Sequence, residues 1–228
     1  IVDERFAARK PQTLTFVEAA AAPLVLLTAW EALYDRTHLQ AGQTVLIHAG
    51  AGGVGHVAIQ LAKLQGAIVA TTVSSPEKAK FVHNLGAEHV INYRQTDFVR
   101  ACLDWTNGEG VDIAFDTVGG ATLSKSFEAV KIYGDVVTLL EPDPATTWKI
   151  ARTRNQRISF ELMLTPMLKG LVSEQCAQTK ILEQCARLID QGNLKIHVGQ
   201  TLPLEQAAIA HQTLEAGGAI GKIVLLTE

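Results

Sequence analysis

The sequence has no uninterrupted apolar run of about 18 residues, the length that reads as a membrane-spanning helix, and no charged-then-apolar leader at its start. Cysteine is scarce: Cys102, Cys176 and Cys185 form no C-x-x-C pair and no zinc-ligand grouping with the scattered histidines. They read as reduced, mostly buried thiols of a cytoplasmic protein, and no metal site is expected within the sequence. Neither sign of charge dominates. The 20 Lys and Arg against 23 Asp and Glu leave a net charge of -3, which favours neither nucleic acid nor an anionic membrane surface. Repeats and low-complexity tracts are also missing. What is present is 228 residues, 47% hydrophobic and 19% charged. That is enough for a sizeable core in one large soluble domain, or one and a fraction, with a small molecule as the expected partner. The chain begins at Ile1 and not at a methionine, so a preceding segment is expected.

The stretch Thr44 to Lys63, TVLIHAGAGGVGHVAIQLAK, begins as an apolar run, turns through four glycines in six residues and leaves as an alanine-rich amphipathic pattern. Gly50, Gly52 and Gly55 stand at G-x-G-x-x-G spacing between a predicted strand and a predicted helix, the context that gives this motif its meaning. The first glycine is expected to permit the tight turn, the second to let backbone approach a pyrophosphate, and the third to bring helix close to strand. Free amides around Gly53 and Val54, at the positive end of the helix dipole, then face an anion.

Strand and helix patterns alternate along the rest of the chain. Thr13 or Thr15 caps a first helix, with Glu18 three residues after Thr15, and Pro23 breaks the apolar run that follows. A second helix is expected over 25–36, strands over 44–48, 67–73, 89–92, 111–116, 135–140 and 158–164, and helices over 54–65, 76–85, 96–105, 120–130 and 173–191. A strand near 196–202, a helix over 204–216 and a strand over 222–226 close the chain. Such alternation predicts an α/β, Rossmann-type, doubly wound parallel sheet of six strands with helices on both faces.

In a Rossmann unit an acidic residue at the end of the second strand holds the 2′-hydroxyl of NAD. Ser74 and Ser75 occupy that place. Without a carboxylate there is room for a 2′-phosphate, which Lys78 one turn later can neutralise, so NADP(H) is the expected cofactor. The missing acid also disfavours methyltransferases with a similar glycine turn. No side chain stands out as a general acid or base. The histidines lack a partner at catalytic spacing, and His48, on the first strand, reads as a satisfied core imidazole. Short-chain reductases use Tyr-x-x-x-Lys, but Tyr34, Tyr93 and Tyr133 are followed four residues on by His38, Asp97 and Val137.

Taken in order, PLVLLTAWEAL, AGAGGVGHVAIQLAK, SSPEKAKF, LGAEHVINYR, GVDIAFDTVGG and the final GKIVL resemble the landmarks of the medium-chain dehydrogenase/reductase superfamily, and within it the zinc-independent quinone oxidoreductase branch. The resemblance implies that Lys78 and Tyr93 clasp the 2′-phosphate. It further implies that Thr28 approaches the nicotinamide side, that Thr117 and Val118 line the groove after the fourth strand, and that Leu139 follows the fifth. The 158–164 strand resembles the edge through which two subunits of this branch join their sheets, so a homodimer is expected. Residues 1–12 resemble the end of a preceding GroES-like catalytic domain, 13–192 the cofactor domain, and 193–228 a segment returning toward the missing unit. The resemblance implies hydride transfer to a quinone or an α,β-unsaturated carbonyl. A zinc-dependent alcohol dehydrogenase handling aldehyde or alcohol, an enoyl reductase of a multienzyme and a non-enzymatic dinucleotide-binding module stand as alternatives.

Overall fold

A computed structural model describes residues 2–227. Its centre is a six-stranded parallel sheet of β1 (Thr44–Ile47), β2 (Ile68–Val73), β3 (His89–Asn92), β4 (Val111–Asp116), β5 (Val130–Thr138) and β6 (Arg157–Phe160), in the order β3-β2-β1-β4-β5-β6. The chain moves outward from β1 to β3, then crosses back to β4 on the other side of β1. In an open sheet of this kind the reversal leaves a crevice beyond the carboxyl ends of β1 and β4. A separate parallel pair, β7 (Val198–Pro203) and β8 (Lys222–Leu226), lies outside the main sheet.

Successive strand side chains point to opposite faces, and the core divides accordingly. Val45, Ile47, Ile113, Phe115 and Val137 pack in one cluster, whereas Leu46, Ala114 and Val136 pack in another. On the first face lie α2 (Pro23–Trp30), α3 (Gly55–Leu64), α4 (Pro76–Asn84) and the long α9 (Val172–Asp190); on the second lie α5 (Phe98–Trp105), α6 (Ala121–Ala129) and α7 (Trp148–Thr153). The remaining α-helices among the described residues are α1 (Phe16–Ala20), α8 (Thr165–Leu168) and α10 (Ala207–Glu215). Helix starts follow the sequence chemistry: Thr15 and Glu18 form a reciprocal capping box on α1, and Ser75 caps α4 with Pro76 in its first turn.

The second expected helix does not run uniformly to Arg36, because Glu31–Arg36 is π-helical after α2 ends at Trp30. β5 begins at Val130, not Asp135. α6 runs directly into it, and its register against β4 jumps from Val130 to Asp135, with Tyr133 in a left-handed conformation (φ 62) within the irregular stretch. The sixth strand ends at Phe160, not Leu164. Glu161 donates one more amide to the Thr138 carbonyl at 3.0 Å, and the chain then turns into α8, which Pro166 opens. α7 occupies a stretch that carries no strong helical signal. No described helix is long and apolar enough to cross a membrane.

Candidate functional site

At the end of β1 the left-handed residue is Ala49 (φ 49), and Gly50 is not left-handed. Gly50 is glycine because of packing: a Cβ there would overlap Thr71 Oγ1 and come within 2.9 Å of Ile59 Cδ1. Gly55 is likewise closed by backbone, its Cβ position 2.7 Å from Gly50 Cα, so the expected close approach of α3 to the turn is present. Gly52 faces open space apart from the Ala49 carbonyl at 3.1 Å. Among the described residues the amides of Gly53 and Val54 donate to no protein acceptor. A helix start with free amides is a ready anion cradle.

Two cavities adjoin this turn. The first, of about 290 Å³, runs from Gly52 and Gly53 past Ser74, Lys78 and Tyr93, and no carboxylate lines it. Its far wall is the loop before β8, including Gly217 and Gly221. Lys78 is held at both ends: its amide bonds the Ser75 hydroxyl at 3.3 Å, and its Nζ donates to the Gly217 carbonyl at 2.8 Å. The second cavity, of about 360 Å³, shares Ala49, Thr72 and Tyr93 with the first and extends over Phe98, Val118 and Lys125.

The sequence-expected residues therefore separate. Gly52, Gly53, Ser74, Lys78 and Tyr93 converge on the first cavity, and Tyr93 and Val118 on the second. Thr28 is buried in α2 and lines neither. Thr117 spans the switch point, donating to the His48 carbonyl at 2.8 Å. Leu139 is half-buried against the core and donates its amide to the Asp116 carbonyl at 3.1 Å. Gly50, Val54 and Gly55 shape the turn without lining either space.

His48 is buried as expected, with Nε2 3.0 Å from Ser126 Oγ and Nδ1 3.3 Å from Thr72 Oγ1. Burial pushes its pKa down to about 4, and burial does the same to His56, whose Nδ1 lies 3.0 Å from the Gly52 carbonyl. Both imidazoles are neutral near pH 7.

Two features were not legible in the sequence. Asp116, fully buried at the end of β4, accepts the amides of Val118 and Gly119 at 3.0 Å and the Thr138 hydroxyl at 3.0 Å, fixing the loop that borders the crevice. Lys222 lies over the glycine turn, with its Cδ 2.9 Å from where a Cβ of Gly53 would stand, while the Gly221 amide bonds the Ala51 carbonyl at 2.8 Å. GKIVL was visible only as a landmark; its contact with the turn is tertiary. The described residues bring together no group of three or more His, Cys, Asp or Glu that could hold a metal ion.

A family profile described as zinc-binding dehydrogenase matches residues 85–225. A highly reducing polyketide synthase of Aspergillus terreus is 35% identical over 224 residues, covering 96% of this chain and 8% of the synthase. Among solved structures, the quinone oxidoreductase of Escherichia coli complexed with NADPH superposes with a TM-score of 0.87 at 29% identity, covering 98% of this chain and 69% of that one. CurK enoyl reductase gives 0.86 at 28% identity, over 99% and 67%.

Proposed function

Since the chain belongs to the zinc-binding dehydrogenase family, within the medium-chain dehydrogenase/reductase superfamily, we propose that it is the NADPH-binding part of a reductase that delivers hydride to an α,β-unsaturated carbonyl. The observation that carries this is the carboxylate-free cavity in which Ser74, Lys78 and Tyr93 meet the glycine turn. The bound nicotinamide cofactor supplies the hydride. The chain's own residues bind and orient it: the Gly53 and Val54 amides and the Lys222 ammonium serve the pyrophosphate, and Lys78 and Tyr93 serve the 2′-phosphate. To do so Lys78 exchanges the Gly217 carbonyl for phosphate oxygens. Thr28, Thr117, Val118 and Leu139 keep a role toward the nicotinamide half, of which Val118 has the support of lining the second cavity. The described residues lack a zinc donor set, and no zinc chemistry is assigned to them.

The choice of an enoyl acceptor is supported by likeness to a polyketide synthase and to an enoyl reductase. Likeness to a quinone oxidoreductase keeps a quinone as the second candidate. Residues 1–12 and 193–228 face a substrate-binding unit in this proposal, and two copies pair in the cytoplasm through the open edge of β6, where Phe160 is exposed.

Fluorescence titration with NADPH and NADH, repeated on Lys78→Ala, tests the cofactor site. At least tenfold preference for NADPH, about 1.4 kcal/mol, is expected and is lost in the variant; equal affinities for both dinucleotides would reject the 2′-phosphate site. Turnover of an enone against a quinone by the parent protein tests the acceptor. A monomer in sedimentation well above micromolar concentration would reject the dimer.

A further inference from the structure

The peptide between Gly52 and Gly53 borders the first cavity, which both residues line, and its two polar ends are treated differently. The Gly52 carbonyl accepts twice from His56, from its amide at 3.1 Å and from Nδ1 at 3.0 Å. The Gly53 amide, among the described residues, donates to no protein acceptor. In a planar trans peptide the C=O and N–H point in opposite directions. Two donors that draw the carbonyl toward α3 therefore turn the free N–H away from the helix body, to the side where an anion at the turn would lie. A glycine stands on each side of this peptide, and neither offers a Cβ to resist its rotation. Half a turn would put the carbonyl where the amide now points and present an acceptor to the anion.

His56 is held in the one state that can prevent this. Its side chain is fully buried, and both ring nitrogens meet backbone groups whose roles are fixed. Nε2 lies 3.1 Å from the His197 amide, which can only donate, and Nδ1 lies against the Gly52 carbonyl, which can only accept. A neutral imidazole has one donor and one acceptor nitrogen, so the proton is on Nδ1. The segment that supplies the His197 amide is itself fastened to α3. Gln60, one turn further along, donates to the Lys195 carbonyl at 2.9 Å and accepts the Lys195 amide at 2.9 Å. The His197 ring packs on Phe81, with centroids 4.8 Å apart.

On the nucleotide reading of the crevice proposed above, we infer that His56 is a positioning residue for the dinucleotide: from inside α3, without touching the ligand, it locks the peptide between Gly52 and Gly53 so that the Gly53 amide faces the pyrophosphate. The Nδ1 hydrogen bond is the lock, and the Nε2 bond to His197 sets the tautomer that makes the lock possible. Two donors on one carbonyl also polarise the peptide, which strengthens the donor at its far end. The same ring ties the phosphate turn to the segment leading into β7.

Two variants separate this role from packing. His56→Leu removes both ring contacts. In His56→Asn the amide nitrogen stands as far along the side chain as Nδ1, so the donor to Gly52 is kept while the acceptor for His197 is lost. A hydrogen bond to phosphate is charge-assisted, and fluorescence titration should show NADPH bound at least tenfold more weakly by His56→Leu. His56→Asn should bind within twofold of the parent, although urea unfolding should show both variants less stable. 2′-AMP, which carries no pyrophosphate, should bind all three proteins alike by calorimetry. In the unsubstituted chain, which serves even if His56→Leu does not fold, proton–nitrogen correlation NMR should find His56 protonated on Nδ1 alone at neutral pH, with and without NADPH. Parent-like NADPH affinity in His56→Leu, affinity as weak in His56→Asn as in His56→Leu, 2′-AMP weakened in parallel with NADPH, or a proton on Nε2 would overturn the inference and leave the nucleotide reading standing. A parent chain that binds no NADPH would overturn that reading and this inference with it.

Discussion

Replacing Gly50 by alanine tests why the first motif position is glycine. The new Cβ would overlap Thr71 Oγ1 and stand 2.9 Å from Ile59 Cδ1 and 3.0 Å from Thr71 Cβ, all within the core. Dense interiors yield little to an added methyl, and overpacking costs about 1–3 kcal/mol. With two fully buried side chains in the way, about 3 kcal/mol, the upper end of that range, is expected. Thr71→Ala alone removes a hydroxyl that donates to the Ile47 carbonyl at 2.6 Å. It should cost about 1 kcal/mol for that bond and about 1 kcal/mol for the lost methyl. In the double variant the clashing oxygen is gone, and the Ile59 terminal methyl can rotate aside. The pair should therefore cost about 3 kcal/mol rather than the additive 5, a coupling of about 2 kcal/mol. Urea unfolding of the four proteins, read as midpoint shifts at constant slope, measures the cycle. Additivity within about 0.5 kcal/mol would refute the packing account and return Gly50 to a purely conformational role.

Ala49→Gly should stabilise the chain by about 0.5 kcal/mol, since relief of a left-handed alanine, about 1–2 kcal/mol, exceeds the entropy cost of glycine, about 0.5–1 kcal/mol; a lowered melting temperature would contradict this. Glu161 holds its proton up to about pH 8 when folded but only to the ordinary 4.5 when unfolded. The folded state thus binds more protons across that window, and this contribution to stability is lost as pH rises through about 8. Glu161→Gln should unfold at higher urea than the parent at pH 8.5, with the gap narrowing toward pH 6.5; a gap independent of pH would count against it. His48 and His56 should titrate near pH 4 by NMR, so their contribution is present above pH 6.5 and is lost as pH falls toward 4. Midpoints near 6.5 would mean that neither ring is held as described.

Where hydrophobic period and turn chemistry agree, the sequence was enough. β3, β4 and β8 lie where their apolar runs stand, and α1 starts on the Thr15 and Glu18 pair. The convergence of Ser74, Lys78 and Tyr93 also followed from topology, because each sits just beyond the carboxyl end of β2 or β3. Misreadings came where a tertiary contact overrides a local signal. Gly134 stands just before the expected 135–140 strand, yet it lies inside β5: the Tyr133 amide bonds the Arg154 carbonyl at 2.9 Å, and a Cβ at Gly134 would meet the Asp112 carbonyl at 2.8 Å. Leu162 and Leu164 looked like strand residues because they are apolar, but ladder pairing stops at Glu161. Lys222 and Asp116 stand in the landmarks GKIVL and GVDIAFDTVGG, but neither pattern carries their contacts, and only the folded chain brings them to the crevice.

The contact of Gly221 and Lys222 with Ala51 and Gly53 also has a consequence in time. During synthesis the glycine turn and its helix leave the ribosome well before the loop and strand that cover them. Until then Lys78 has no Gly217 carbonyl to hold, and the proposed phosphate cradle lacks both its far wall and Lys222. A nascent chain can therefore carry a nearly complete sheet and still bind dinucleotide poorly. Full affinity arrives with β8, so cofactor retention reports on the closing of this crevice rather than on the formation of the sheet.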